Sequence, residues 1–221
     1  MATTIRQPKV GVNIVPSSEE AGNTAQKILM VAQSLPAGTA PTGELIENIA
    51  NGGVEDTLFG AKSMAATLIR ANKVRNQEVQ IDMIALADNG GGTAATGELS
   101  VVGTATEDSS ITVVVASEKN HSYEIAVSDT DTATVIGDAI VAAITADDNV
   151  PVTAVNAAGV VTVTAANAGT YGNSFPLEIV GEVAGLTLTV TAMSGGATDP
   201  SLTGVFDPVQ GIRYQGVVWP Y

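Results

Sequence analysis

The chain contains no cysteine in 221 residues. Disulfide scaffolds, thiol nucleophiles and Cys-based zinc sites are thereby excluded, while the cellular compartment is left open. Aromatic residues make up only 4% of the chain, with a single Trp. Cores must then be built from Val, Ile, Leu and Ala. Cations are scarce too: nine Lys and Arg stand against 23 Asp and Glu, a formal net charge of −14. A phosphate backbone needs several clustered cations to release its counterions. No such cluster exists, which argues against a nucleic-acid partner, and the same charge disfavours anionic membrane surfaces. No run approaches the roughly 20 apolar residues of a membrane span. The opening MATTIRQPKVGVNIVP has no apolar h-region, so no signal peptide is expected and a soluble intracellular product is the default.

Hydrophobic content, at 45%, is enough for a real core. Its texture changes abruptly along the chain. At Asp88–Gly97 (DNGGGTAATG) an α/β-like pattern stops and a strand-rich block begins, rich in Ala, Thr, Val and Gly. A second glycine junction, Ser194–Pro200 (SGGATDP), closes that block. Before it, Lys27–Val31 and Val79–Leu86 read as buried strands. Between them lie a loop over Leu35–Gly43, a short helical turn over Glu44–Ala50, and one helix over Glu55–Val74. In that helix Leu58, Ala61, Ala65, Leu68, Ile69 and Val74 recur near helical spacing, with Asp56 or Thr57 as cap. Strand, helix, strand makes a βαβ unit. Its third strand is expected at Tyr214–Trp219, with the helix that would normally cover it missing.

Within the block, Glu98–Val102, Ile111–Val115 and Tyr123–Val127 read as strands. A helix over Thr132–Thr145 follows, capped by Asp131 or Thr132, with Val135, Ile136, Ala139, Ile140, Ala143 and Ile144 as its apolar stripe. Val152–Val155, Val160–Thr164, Leu177–Val180 and Leu186–Thr191 complete it. In the last, Leu186, Leu188 and Val190 alternate with Thr187, Thr189 and Thr191, which predicts one buried and one wet face. The expected fold class is α+β. A partial α/β core carries an inserted mainly-β domain with one helix. The expected boundaries are an extended N-terminal arm over 1–23, the α/β part over 24–90, the insert over 91–197 and a return strand within 198–221. On the arm, Val10, Val12 and Ile14 share one face by period two and suggest a short strand able to pair with another sheet edge.

Chemistry is sparse. The single histidine, His121, sits in KNHSY between two strands and reads as a hairpin residue. Gly90–Gly92 precedes a strand and lacks a following GK[ST], so it reads as a flexible junction and not a phosphate loop. Asp129 and Asp131 lack the later Gly and Glu of a calcium loop. Capping accounts for Asp131, and solvation for Asp129, Asp147 and Asp148. Lys73 and Arg75 end a helix, where cations suit its dipole. No catalytic, cofactor-binding or metal-binding constellation is found, and no enzyme is expected.

Several stretches, in order, resemble the tail sheath proteins of contractile bacteriophages of the Mu-like group. They are KVGVNIVPSS, KILMVAQ, LFGAKSMAATLIRANKVRN with VQIDMIALAD, GGGTAATGELSVVGTAT, DDNVPVTAVNAAGVVTVTAANAGTYGNSFPLEIV, LTLTVTAMSGGATDPSL and IRYQGVVWPY. The resemblance implies a structural subunit of the virion tail, assembled in the host cytoplasm. Such subunits stack around a tail tube and shorten to drive it through the host envelope. Implied partners are other copies of the subunit, the tube and the baseplate. The resemblance also places Val10, Val12 and Ile14 on an inter-subunit arm and has the insert project from the sheath surface. No part of the chain up to Tyr221 resembles the family's C-terminal part, so the chain alone is expected to be mostly monomeric. The competing reading is a surface, adhesion or carbohydrate-binding β module, for which the block offers only Tyr123, Tyr171 and Phe175 as sugar platforms.

Overall fold

A computed structural model describes residues 27–49, 53–75, 79–115 and 121–219. Val10, Val12 and Ile14 lie outside the described residues. Helices and sheets both occur, with strands predominating.

The first sheet takes its strands from both ends of the described chain. Strand β1 (Lys27–Gln33) lies at its centre, parallel to β3 (Gln80–Leu86) on one side and to β11 (Gly216–Val218) on the other. The strand expected near the C-terminus therefore does return beside β1. A two-residue strand, β2 (Leu45–Ile46), pairs antiparallel with β3 and completes the order β11-β1-β3-β2. This replaces the helical turn expected over Glu44–Ala50. Asn48 adopts a left-handed φ of 51°, which a continuing helix cannot include.

The crossover from β1 to β3 is two helices, not the single one expected. Helix α1 (Val54–Phe59) stops at Gly60 and α2 (Met64–Arg75) begins after Ser63. Gly60 and Lys62 have φ of 84° and 68°, and the Ser63 hydroxyl accepts the Ala66 amide at 3.0 Å, so a new helix is capped there. Asp56 and Thr57 do not cap α1, which starts at Gly53 without a side-chain cap. Asp56 instead pairs with Arg70 of α2. Val74, expected in the buried stripe, is exposed at the end of α2.

Both faces of this sheet are covered. Met30, Ala32, Ile81, Met83 and Ala85 pack beneath Phe59, Met64, Ala65 and Ile69 of the two helices. Leu29, Val31, Ile84 and Leu86 pack on the opposite face against Leu202, Val205, Val209 and Tyr214. A mostly irregular segment thus does what a second helix was expected to do.

Residues 96–194 build two antiparallel sheets around one helix. One is ordered β10-β4-β8-β7, from β4 (Thr96–Gly103), β7 (Val152–Ala157), β8 (Val160–Ala165) and β10 (Leu186–Ser194). The other is β6-β5-β9, from β5 (Ser109–Val115), β6 (Ser122–Val127) and β9 (Leu177–Val180). Helix α3 (Ala133–Ala146) buries Ile136, Ile140 and Ile144 against Leu99, Ile111, Val113, Val161 and Val163. Its N-cap is Thr132, whose hydroxyl accepts the Val135 amide at 3.5 Å. Val135 at its start is exposed, so the apolar stripe is narrower than the spacing predicts.

Gly137 marks the closest approach of α3 to β7. A Cβ there would lie 2.5 Å from Asn156 Oδ1. Asn156 cannot easily yield, because it donates to Thr134 O at 3.0 Å and Asp138 Oδ1 at 2.8 Å and accepts the Gly159 amide at 2.9 Å. Gly137→Ala gains up to about 1 kcal/mol of helix propensity. Overpacking at such a site costs about 1–3 kcal/mol. We expect net destabilisation, read as a lower denaturant midpoint at unchanged slope. A raised midpoint would show that Asn156 can swing aside.

Candidate functional site

Three polar constellations join separate segments of the described residues. The first centres on Asp82, whose side chain is fully buried in β3. Its Oδ2 meets Lys27 Nζ at 2.7 Å and accepts the Tyr214 hydroxyl at 2.9 Å. Its Oδ1 accepts the Asn48 amide at 2.9 Å and the Gln80 amide group at 3.3 Å. Burial pushes the Tyr214 hydroxyl up to about 12, aided by Asp82. Lys27 also lies 5.3 Å from the Tyr214 ring centroid. The arrangement ties β1, β3 and the returning segment into one cluster. The sequence reading missed it, although a lone carboxylate in the apolar run VQIDMIAL was a visible signal.

The second lies where the chain leaves and re-enters the first sheet. Asp88 accepts from Gln33 Nε2 at 2.6 Å, Asn167 Nδ2 at 2.9 Å and the Ala168 amide at 2.9 Å. Asn167, itself buried, accepts the Met64 amide at 2.8 Å. Asp199 accepts the Thr170 amide and hydroxyl at 2.6 and 2.7 Å. Thr93 and Ala197 exchange two backbone bonds of 3.0 Å across the two glycine junctions. The segments read as a flexible junction are thus bonded to each other and to both flanking units. A shallow crevice of about 340 Å³ opens at the carboxyl end of β3, lined by residues including Thr42, Asn89, Gly90 and Ser201. Ligands of α/β sheets bind at such ends. Its one carboxylate, Asp88, already holds three donors.

The third joins His121, Tyr123 and Asp147. Asp147 Oδ2 lies 3.1 Å from His121 Nδ1 and accepts the Tyr123 hydroxyl at 2.9 Å. Burial would raise the Asp147 carboxyl, but the Asn149 amide, His121 and Tyr123 together hold it below the usual range. Burial pushes the Tyr123 hydroxyl up, reinforced by Asp147. Asp147 is therefore a structural acceptor, which corrects its reading as merely solvated. Lys62, from the α1–α2 connection, donates to Ile144 O at 3.1 Å and to Asp147 O. It supplies the cation that α3 lacks in its own last turn. Asp131, the alternative cap for α3, accepts the Ser128 amide at 2.8 Å within a turn instead.

In each of the three the central carboxylate is engaged by donors from separate segments of the chain. No group of three His, Cys, Asp or Glu side chains able to hold a metal occurs among the described residues. No helix among them is long and apolar enough to cross a membrane. The remaining candidates are surfaces. Phe206, Ile212, Val217, Val218 and Trp219 are exposed near the edge strand β11, with the Phe206 and Trp219 rings edge-to-face at 6.5 Å.

No protein-family model matches the chain. Over 182 residues it is 32% identical to the Mu-like prophage FluMu tail sheath protein of Haemophilus influenzae. The chain is thus similar in sequence to a tail sheath protein of the Mu-like group. The alignment covers 80% of the chain, and the chain spans 37% of the length of that relative. In this chain the aromatics named above as sugar platforms have other partners. Tyr123 bonds Asp147, Phe175 packs against the second core, and the Tyr171 and Phe175 rings meet edge-to-face at 4.9 Å.

Proposed function

We propose that the chain is part of a structural subunit of a contractile phage tail sheath. The subunit surrounds the tail tube in the virion, after assembly in the host cytoplasm, and shortens to drive the tube through the host envelope. Its partners are other copies of itself, the tube and the baseplate. The observation that carries the reading is the 32% identity to a tail sheath protein, spread over 80% of the chain. The engagement of Asp82, Asp88 and Asp147 by donors from separate segments supports it, because a sheath needs rigid bodies and interfaces more than a reaction centre. Contraction in this reading is a rigid-body rearrangement between subunits linked by extended arms. Val10, Val12 and Ile14 are the proposed arm residues.

The test is negative-stain electron microscopy of the complete gene product. Hollow tubes with regular striation are the expected result. Dispersed particles under every condition that assembles related sheaths would overturn the reading and favour a surface-binding β module.

A further inference from the structure

The sheet β10-β4-β8-β7 has two edges, and among the described residues no strand lies beyond either. Natural sheets guard such edges with Lys, Pro, bulges or a covering element. These two are unguarded over much of their length. Strand β10 reads Leu-Thr-Leu-Thr-Val-Thr from Leu186 to Thr191, and its register shifts only between Thr191 and Ser194. Strand β7 reads Val-Thr-Ala-Val-Asn-Ala. Neither has a charged side chain, and Glu98 is the only one in the four strands, in a chain of net charge −14.

The layer is also unfinished at β10. Leu188 and Val190 pair with Val101 and Leu99, which are almost fully buried, yet Leu188 is only half-buried and Val190 is 39% exposed. The face predicted to be buried is therefore open at this edge. At the other edge Val155 is 68% exposed.

Strand direction supplies the partner. All three pairings in this sheet are antiparallel, so β7 runs opposite to β10. A second copy set beside the first in the same orientation presents its β7 to β10 antiparallel and continues the alternation. Such a contact is heterologous and repeats from copy to copy, as a ring or helical strand of subunits requires. Like-charged copies repel over most of their surface. At these edges the backbones can pair without bringing carboxylates together.

We propose that β10 of one copy, over Thr187–Thr191, pairs antiparallel with β7 of the next. The contact rests on the assembly reading above and names one surface for it. A pairing this short is weak between free chains and becomes strong when other contacts hold the copies side by side. That is compatible with the expectation, drawn from the resemblance, of a chain mostly monomeric by itself.

A cysteine-free chain makes the test clean. Thr189→Cys and Val155→Cys are introduced together, with Thr191→Cys and Val155→Cys as the neighbouring register, and the chain is oxidised at high concentration. The expected result is a disulfide ladder of dimers, trimers and higher species from at least one pair. Each single variant should stay monomeric, and an equimolar mixture of the two singles should stop at dimers. Dimerisation of the Thr189→Cys single variant as efficient as the double variant would overturn the proposal in favour of β10 pairing with itself. So would a ladder of equal intensity from Val102→Cys with Val135→Cys, which would mean random collision. The same pairs in the complete gene product separate the two readings. Tubes without a ladder sink this contact alone, whereas an absence of tubes sinks the assembly reading on which it rests.

Discussion

Asp82→Ala is expected to lower the unfolding free energy by about 3 kcal/mol or more, the cost of breaking a buried charged pair by removing one partner. In a chain of this size that corresponds to a melting temperature lower by roughly 6–12 °C. The Asp82 side chain is fully buried, and four donors converge on its two oxygens from Lys27, Tyr214, Asn48 and Gln80. Removing the carboxylate strands the Asn48 amide and the Tyr214 hydroxyl together, besides leaving a void against Leu29 and Ile84. The pH dependence follows from the same geometry. Burial alone would raise the Asp82 carboxyl, but the bonds from Lys27, Asn48, Tyr214 and Gln80 outweigh it and hold the group below its ordinary value. Its contribution is therefore complete above the unfolded carboxylate value of about 4 and is lost as pH falls through the folded one. Lys27 is held above its ordinary value, chiefly by its bond to Asp82 and against the effect of burial. Its contribution is complete below the unfolded lysine value of about 10.4 and is lost as pH rises through the folded one. Thermal melts followed by circular dichroism should show both limbs flattened in Asp82→Ala. A neutral-pH melt superimposable on wild type would refute the account.

Asp82 also illustrates what the sequence made legible. The strands of the first sheet stand out because buried parallel strands read as continuous apolar runs, and KILMV and VQIDMIAL are such runs. The single acid inside the second announced a partner without naming one, since Lys27 and Tyr214 are brought to it only by the fold. The strands of residues 96–194 were legible from runs and alternation of Val, Ile, Leu and Thr. The break between α1 and α2 was not, because the apolar spacing runs on through Gly60–Ser63 while two left-handed residues redirect the backbone. Leu45 and Ile46 were misread because two residues carry no period, and their strand exists only through pairing with β3. Half-burial of Val190 was invisible for a related reason. Alternation assigns a residue to a face but not its strand to the edge of the sheet. Of the polar constellations, Asp147 with His121 and Tyr123, and Asp88 with Asn167, join residues far apart in sequence, and no local pattern marks them.

Asp88→Ala is expected to cost about 2–6 kcal/mol, since two or more buried donors lose their acceptor at about 1–3 kcal/mol each. It should also loosen two groups of sheets that are otherwise bridged by the bonds from Met64 to Asn167 and from Lys62 to Ile144 and Asp147. Gln33 ends β1, Asp88 follows β3, and Asn167 and Ala168 follow β8, so one carboxylate clamps segments from both units. The single Trp, Trp219, lies beside β11 and reports on the first sheet by fluorescence. Far-UV circular dichroism reports on both units, including the two sheets and helix of residues 96–194. In wild type the two signals should give one coincident denaturant transition. In Asp88→Ala the fluorescence transition should move to lower denaturant than the dichroism transition, because the first sheet loses the clamp while the second unit keeps its own core. Asp88→Asn should cost nearly as much, for its amide group would present donors to donors. If both signals stayed superimposed at the wild-type midpoint, Asp88 would carry none of the coupling, which would then rest on the bonds from Met64 to Asn167 and from Lys62 to Ile144 and Asp147. The coupling matters for any rigid-body contraction. A clamped second unit moves with the sheet that bears it and can transmit displacement to its neighbours, whereas a hinged one cannot.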